Sequence, residues 1–379
     1  MATIAGFALL LVALTVAPAL ADTTTAKRAQ ATAVQAQIDS LNTRAEIATE
    51  RYNQASQHYA GLTVKVRSTE QKIGELKSRQ TKLQSHLATR AGTMYRTGGA
   101  LGGLEVLLGS RTFQDFIATL RVLESMNRQD ASTVKGLKQA KAEATTARAT
   151  LVAAQSQAEV QKNQMAASEH AVKSELAAKQ TVLSGLNADI LAMLAAQQRA
   201  EAAAAHARQV AFLERQRVAQ VAQAAADASA ARNRRASAGR SNRSNSAGGG
   251  NGGSSYSNPP SGGSTGSRAV SWAMQALGRP YVWAASGPGS FDCSGLTMWA
   301  YGHAGVSLSH SAAAQIGEGA RVSQSSLQPG DLVFFGSPIH HVGMYVGGGD
   351  FIEAPHSGAN VRIATLSGRG DYAGACRPR

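Results

Sequence analysis

Two long stretches of this chain repeat their apolar residues every seven positions, and that pattern excludes a single compact domain. From about Lys27 to Leu87, one seam position runs Ile38, Ala45, Tyr52, Tyr59, Val66 and Ile73. The other runs Leu41, Ala48, Ala55, Leu62, Thr69, Leu76 and Leu83, while most remaining positions are Gln, Glu, Lys, Arg or Thr. This spacing predicts one long helix with a narrow seam. A second run, from about Val134 to Ala230, places Leu137, Ala144, Leu151, Ala158, Met165 and Val172 at the same spacing, and Leu176, Leu183, Leu186, Ile190 and Leu194 extend it. Its alanines give high helix propensity and a shallow seam. The simplest arrangement is an antiparallel coiled-coil hairpin over 22–235; a parallel homodimer satisfies the same pattern. An aromatic content of 5% fits a chain of which much is not globular core.

Between the two runs the composition changes. Gly98, Gly99, Gly102 and Gly103 break the first helix, and the apolar segments LEVLL (Leu104 to Leu108) and FQDFIATLRVLESM (Phe113 to Met126) follow. At the tip of a hairpin, about 98–128, they have little core to enter. Two readings follow: a small cap packed on the coil, or an exposed docking site.

The chain opens with an apolar run, Ile4 to Val16, and Ala19-Leu20-Ala21 before Asp22 fits a signal cleavage site, so residues 1–21 read as an export signal. No Lys or Arg precedes the run, which is atypical. Export makes the protein secreted, or extracytoplasmic and associated with the cell wall. Residues 236–267 combine a basic Ser-rich run with Gly, Ser, Asn and Pro259-Pro260, which predicts a flexible, disordered linker spanning roughly 30 Å. The formal net charge of +14 suits an anionic partner. No aromatics interleave with the basic residues as in single-strand binders, so nucleic acid is not expected. From Arg268 onward seven arginines face six acids, so the last 112 residues are near neutral.

Those residues carry the chemistry. Helical spacing over Val270 to Leu277 ends at Gly278-Arg279-Pro280, and a second helix begins at Cys293 after Gly287-Pro288-Gly289. A cysteine at a loop-to-helix junction meets unpaired N–H groups and the helix dipole, which favour a thiolate. Short strands follow at Leu332 to Phe335, His341 to Val346, Asp350 to Ala354 and Val361 to Ile363, giving an α+β domain at 268–379. A cysteine nucleophile needs a base, and the base an orienting group. His341 opens one strand; the next, past Gly347-Gly348-Gly349, carries Glu353. An odd-residue loop puts Glu353 diagonal to His341 on one sheet face, whereas a two-residue loop puts His356 opposite His341. Pairing alone leaves both open. The competing readings are a Cys293–Cys376 disulfide and a zinc site, but no His-Glu-x-x-His motif occurs, and neither metal nor cofactor is expected. His303, His310 and His340 read as surface or core-edge residues.

The blocks Arg279-Pro280-Tyr281-Val282-Trp283, Phe291-Asp292-Cys293-Ser294-Gly295-Leu296, Gln328 to Phe335, His341 to Gly347 and Phe351 to Pro355 resemble, in order, those of the NlpC/p60 cysteine peptidases. The resemblance implies a papain-like fold and a peptidoglycan endopeptidase that cleaves stem peptides, typically at the D-γ-glutamyl–meso-diaminopimelate bond. It makes Cys293 the nucleophile, His341 the base and Glu353 the third catalytic residue, a position that varies in the family among His, Asn, Gln and Glu. Tyr281 matches the active-site tyrosine near the oxyanion region, and Asp292 and Ser294 match positions that help to hold the free end of the stem peptide. Ala284-Ala285 stands where the family commonly has Gly-Gly, which implies a tighter loop. Less specifically, Met94-Tyr95-Arg96-Thr97-Gly98 and the segment after it are similar to the coiled-coil halves of PcsB-type and RipC-type division hydrolases. In these the coil binds a membrane partner, FtsX, and restrains the catalytic domain. The rival expectations are a non-catalytic wall-binding scaffold and an acyl or peptide transferase.

Overall fold

The computed structural model describes residues 24–96, 98, 105–241 and 264–379. The export signal read at 1–21 and most of the expected linker lie outside the described residues.

Helix α1 (Thr24–Arg96) is 73 residues long, and α3 (Phe113–Ser184) returns alongside it after a short helical turn, α2, at 105–108. Asn42 pairs with Lys179, Gln80 with Ala140 and Arg90 with Asp130, so the two helices run antiparallel. Along their seam Ile73 and Leu76 pack against Ala140, Ala144 and Ala147, and Leu41, Ala45, Ala48, Ala154 and Val172 are buried as well. Small residues on α3 let the two axes approach closely, as the alanine-rich repeat implies. Two seam assignments fail: Tyr59 is exposed, and Tyr52 leaves the coil to meet Trp283 of the C-terminal domain at 5.0 Å, edge to face.

Three other expectations need correction. Phe113 to Met126 is the first part of α3 itself, capped by Thr112, whose hydroxyl accepts from Asp115 N–H, so the tip is narrower than 98–128. Its apolar residues Val106, Leu108, Phe113 and Val122 face solvent and do not form a cap on the coil. The second helical run is not continuous either. It breaks at Gly185, and α4 (Ala188–Ser241) restarts where Asn187 Oδ1 accepts from Ile190 N–H. Alanine and arginine then carry α4 six residues beyond the expected start of the linker at 236.

The C-terminal domain begins with α5 (Thr265–Gln275), capped by Ser264, three residues before the boundary read at 268. Helices α6 (Cys293–His303) and α7 (Ala312–Gln315) follow. The strands are β1 (Gly319–Val322), β2 (Leu332–Phe335), β3 (His341–Gly347), β4 (Asp350–Glu353), β5 (Arg362–Thr365) and β6 (Tyr372–Pro378). They form one antiparallel sheet in the order β1-β6-β2-β3-β4-β5. All four residues of β2 are buried because both faces of the sheet are covered. Leu296, Phe334, Val342, Met344, Ile352 and Ile363 pack under α5 and α6; Val333, Phe335, Phe351, Leu366 and Ala375 form a smaller cluster on the other face. Strand β1, four residues with a charged Arg321, carries too little pattern to be read from sequence.

The β3–β4 hairpin decides which residue faces His341. Gly347 pairs with Asp350 around a two-residue turn, and the three glycines 347, 348 and 349 have φ of 105°, 69° and 85°. That turn alone would bring His356 opposite His341. A bulge between Tyr345 and Gly347 shifts the register by one, so Met344 faces Ile352 and Glu353 lies diagonal to His341.

Candidate active site

Asp292 ends an extended segment and caps α6: its Oδ1 accepts from Gly295 N–H at 2.6 Å, while its own N–H donates to Ala285 O at 2.8 Å. Cys293 is therefore the first residue of α6, as the sequence predicts. Gly295 is required here, since an added Cβ would sit 2.2 Å from Ala285 O. Ala284, where the resembling family commonly has glycine, holds φ of +56°, a left-handed conformation that costs an alanine roughly 1 kcal/mol. Ser294 Oγ donates to Asp292 Oδ1, and His310 Nε2 lies 2.8 and 2.9 Å from the two carboxylate oxygens. Burial opposes a charged His310, but the hydrogen bond to Asp292 and its charge outweigh this and raise the imidazole pKa.

His341 and Glu353 are both fully buried, with His341 Nε2 2.9 Å from Glu353 Oε2. Arg362, directly across the β4–β5 ladder, donates through Nε to Glu353 Oε1 at 3.0 Å, and Arg369 lies 3.5 Å from Oε2. Arg369 also stacks 4.2 Å from the Phe335 ring centroid and is tied to Asp371. Burial would raise the Glu353 pKa; the bond to His341 and the charges of His341, Arg362 and Arg369 hold it well below the usual carboxylate range. For His341 burial prevails and the pKa is lowered, although Glu353 opposes it. Nδ1 of His341 has no hydrogen-bond partner among the described residues. Cys293 Sγ lies 3.9 Å from His340 O and also faces the Val342 N–H, the backbone on either side of His341.

A face of α1 fills the cleft in front of these residues. Glu46 Oε2 is 3.6 Å from His341 Nδ1, and Thr49 is in hydrogen-bond reach of Tyr281. Asn53 Nδ2 donates to Asp292 Oδ2 at 3.0 Å and Ser294 Oγ at 3.4 Å. Glu50 accepts from the Ser311 hydroxyl and from Ala312 and Ala313 N–H at 2.9 and 3.1 Å. Tyr281 and Cys293 are only 6% and 4% exposed as a result. The expected thiolate environment is reversed: burial first, then the carboxylates of Asp292, Glu50 and Glu46, push the Cys293 thiol well above its ordinary pKa. Burial likewise raises Glu46 to about 8.

The structure thus brings Cys293, His341, Glu353, Tyr281, Asp292 and Ser294 into one cleft. His356 is turned away, with its Nδ1 3.2 Å from Ser357 O, and His303 packs on Trp272 and Trp299. Cys376 is free and buried on β6, where its thiol donates to Gln315 O at 3.2 Å. Sequence reasoning missed His310, Arg362 and Arg369, and every cleft residue of α1. The alternation of β5 could have suggested Arg362; nothing local marks the others.

Comparison with known proteins divides the chain in the same way. Residues 278–374 match the NlpC/P60 family model, and residues 73–147 match the model described as the coiled-coil domain of peptidoglycan hydrolase PcsB. The chain therefore carries an NlpC/P60 domain at its C-terminal end and a PcsB-type coiled coil in its N-terminal region. A probable endopeptidase p60 of Listeria grayi is 46% identical over 102 residues, 26% of this chain and 20% of the relative. A probable endopeptidase of Corynebacterium glutamicum is 48% identical over 94 residues, 25% of this chain and 45% of the relative. The chain thus spans less than half the length of either relative. Among solved structures, an NlpC/P60 family protein from Bacillus cereus is 35% identical over 30% of this chain and 39% of its own, with a TM-score of 0.29.

Proposed function

We propose that the chain is an exported cysteine endopeptidase that hydrolyses peptidoglycan stem peptides at the D-γ-glutamyl–meso-diaminopimelate bond during wall remodelling or daughter-cell separation, and that its coiled coil holds it inactive. The observation that carries the reading is the set of groups in the cleft: Cys293 at the start of α6 with Sγ against the backbone on either side of His341, the Nδ1 of His341 unpartnered among the described residues, and Glu353 on its Nε2. The endopeptidase names of the relatives support it.

In this mechanism His341 Nδ1 takes the thiol proton and the thiolate attacks the γ-glutamyl carbonyl carbon. Glu353 fixes the tautomer and stabilises the imidazolium. The imidazolium then protonates the leaving amine as the C–N bond breaks. Water, deprotonated by His341, attacks the thioester and releases Cys293. Tyr281 lines the cleft beside the oxyanion, while Asp292, with Ser294, accepts the free amine of the stem peptide where Asn53 Nδ2 now donates. With α1 in the cleft no stem peptide reaches Sγ, which supports restraint by the coil. The exposed tip suits a membrane partner of FtsX type that would draw α1 away.

The test is digestion of purified peptidoglycan by the full chain, by residues 264–379 and by their Cys293→Ala forms, with products identified by mass spectrometry. The reading expects new L-Ala-D-Glu ends from both Cys293 proteins, faster from the fragment. Stem peptides bound but not cut by a folded fragment would favour a wall-binding scaffold instead. Equal rates from fragment and full chain would remove the restraint.

A further inference from the structure

The face of α1 in the cleft carries a cost alongside its hydrogen bonds. It is polar, and burying Glu46 and Glu50 raises both carboxyl groups above their ordinary pKa, which is an unfavourable contribution to docking. Hydrogen bonds of Glu50 and Asn53 offset part of that cost, and α4 supplies further attraction.

After packing Ile190 and Leu194 against Ala31 and Ile38 of α1, α4 crosses to the C-terminal domain. Ala205, Arg208, Phe212 and Arg215 lie at helical spacing and form one stripe on that domain. Phe212 is 4% exposed and joins the domain's main core cluster. Arg208 Nε donates to Ile363 O of β5 at 3.2 Å, and Arg215 donates to Asp350 Oδ2 of β4 at 2.7 Å. Strand β5 is the last in the sheet, so α4 covers an edge that would otherwise present unpaired backbone. The fit is incomplete. A cleft of about 370 Å³ remains between α4 and the loop before β5, lined by Glu201, His206, His356 and Arg362. An apolar anchor, one exchangeable ion pair and an open cleft suit a contact that forms and breaks.

We propose that residues 205–215 of α4 are a latch: their docking on the β4–β5 edge holds α1 in the cleft, and displacing them opens the active site although none of them touches it. The proposal rests on α1 acting as the plug. Two attachments on one chain reinforce each other because the second forms at high effective concentration. The latch adds attraction, and α1 supplies occlusion.

The two cysteines give a test in the full chain. Iodoacetamide alkylates Cys293 only when α1 leaves, and Cys376, buried on β6, only when the domain itself unfolds; peptide mass spectrometry separates the two. In the Phe212→Ala/Arg215→Glu double variant, Cys293 alkylation should rise by about tenfold or more, the direction that losing one of two linked attachments dictates. Cys376 should stay protected. Arg215→Glu alone should also accelerate alkylation, and adding Asp350→Arg should slow it again by restoring an opposite-charge pair. Glu50→Lys reports the plug independently. If Glu50→Lys raises Cys293 alkylation and the latch variants do not, the latch is overturned and the plug stands. If neither raises it, the plug reading fails and the latch with it. An equal rise at Cys376 makes α4 a structural part of the domain, which also overturns the latch.

Discussion

Glu46 Oε2 stands 3.6 Å from His341 Nδ1, the nitrogen of that ring without a hydrogen-bond partner among the described residues. A carboxyl group from one end of the chain thus occupies the place from which the base would act.

Burial of that carboxyl makes docking sensitive to pH. Burial lifts Glu46 from 4.5 to about 8, with Arg369 and Arg362 opposing and Glu353 and Asp371 adding to the rise. Because the docked pKa is the higher, docking takes up a proton. This contribution is full below the free carboxyl value and is lost as pH rises through about 8, with up to about tenfold per pH unit in the docking equilibrium. The ratio of full-chain to fragment activity should therefore rise between pH 5 and 8. In Glu46→Gln, which has no proton to take up at that position, the ratio should rise less steeply, the remainder coming from Glu50, whose carboxyl pKa is also raised by burial; an unchanged slope would rule Glu46 out as a source.

Glu50 holds α1 to α7 through three acceptor contacts. Glu50→Ala removes them and leaves the Ser311 hydroxyl and two N–H groups to water or substrate. Docking should weaken by about 2 kcal/mol, raising full-chain activity by roughly thirtyfold if the plug limits it. The isolated 264–379 fragment lacks Glu50, so its rate gives the ceiling that this variant should approach but not exceed.

Arg369 helps to keep His341 low, after burial and against the pull of Glu353. In Arg369→Gln the His341 pKa should rise, because a charge that disfavours the imidazolium is gone. Titration of the His341 ring protons by NMR measures it directly. A fall would mean that lost packing on Phe335, rather than lost charge, dominates.

Two positions that meet at the Ala284-Ala285 loop, one in it and one in α6, should respond with opposite sign. Gly295→Ala drives a Cβ into Ala285 O and should lower domain stability by about 1–3 kcal/mol. Ala284→Gly relieves a left-handed alanine and should raise stability slightly, by about 0.5 kcal/mol once the added freedom of the unfolded chain is subtracted. Denaturant unfolding of the two variants against the parent checks both signs.

The sequence by itself determined the elements and the chemical groups. Sevenfold spacing makes two long helices whatever surrounds them, because burying a narrow apolar seam needs only a second helix. A glycine-rich loop before Cys293 and an apolar helix after it put that thiol at a helix start, since Asp292 caps locally. The same holds for strands β2 to β4, whose apolar patterns are short-range properties. Other outcomes required the tertiary structure. The β3–β4 register turned on a bulge at Val346, which set Glu353 rather than His356 beside His341, and a glycine run is compatible with either. Glu46, Thr49, Glu50 and Asn53 occupy outward positions of the heptad, where polar residues ordinarily meet water. Only the folding of a distant domain onto that face buries them. Such burial depends on partners more than 200 residues away, and a local pattern carries no term for them.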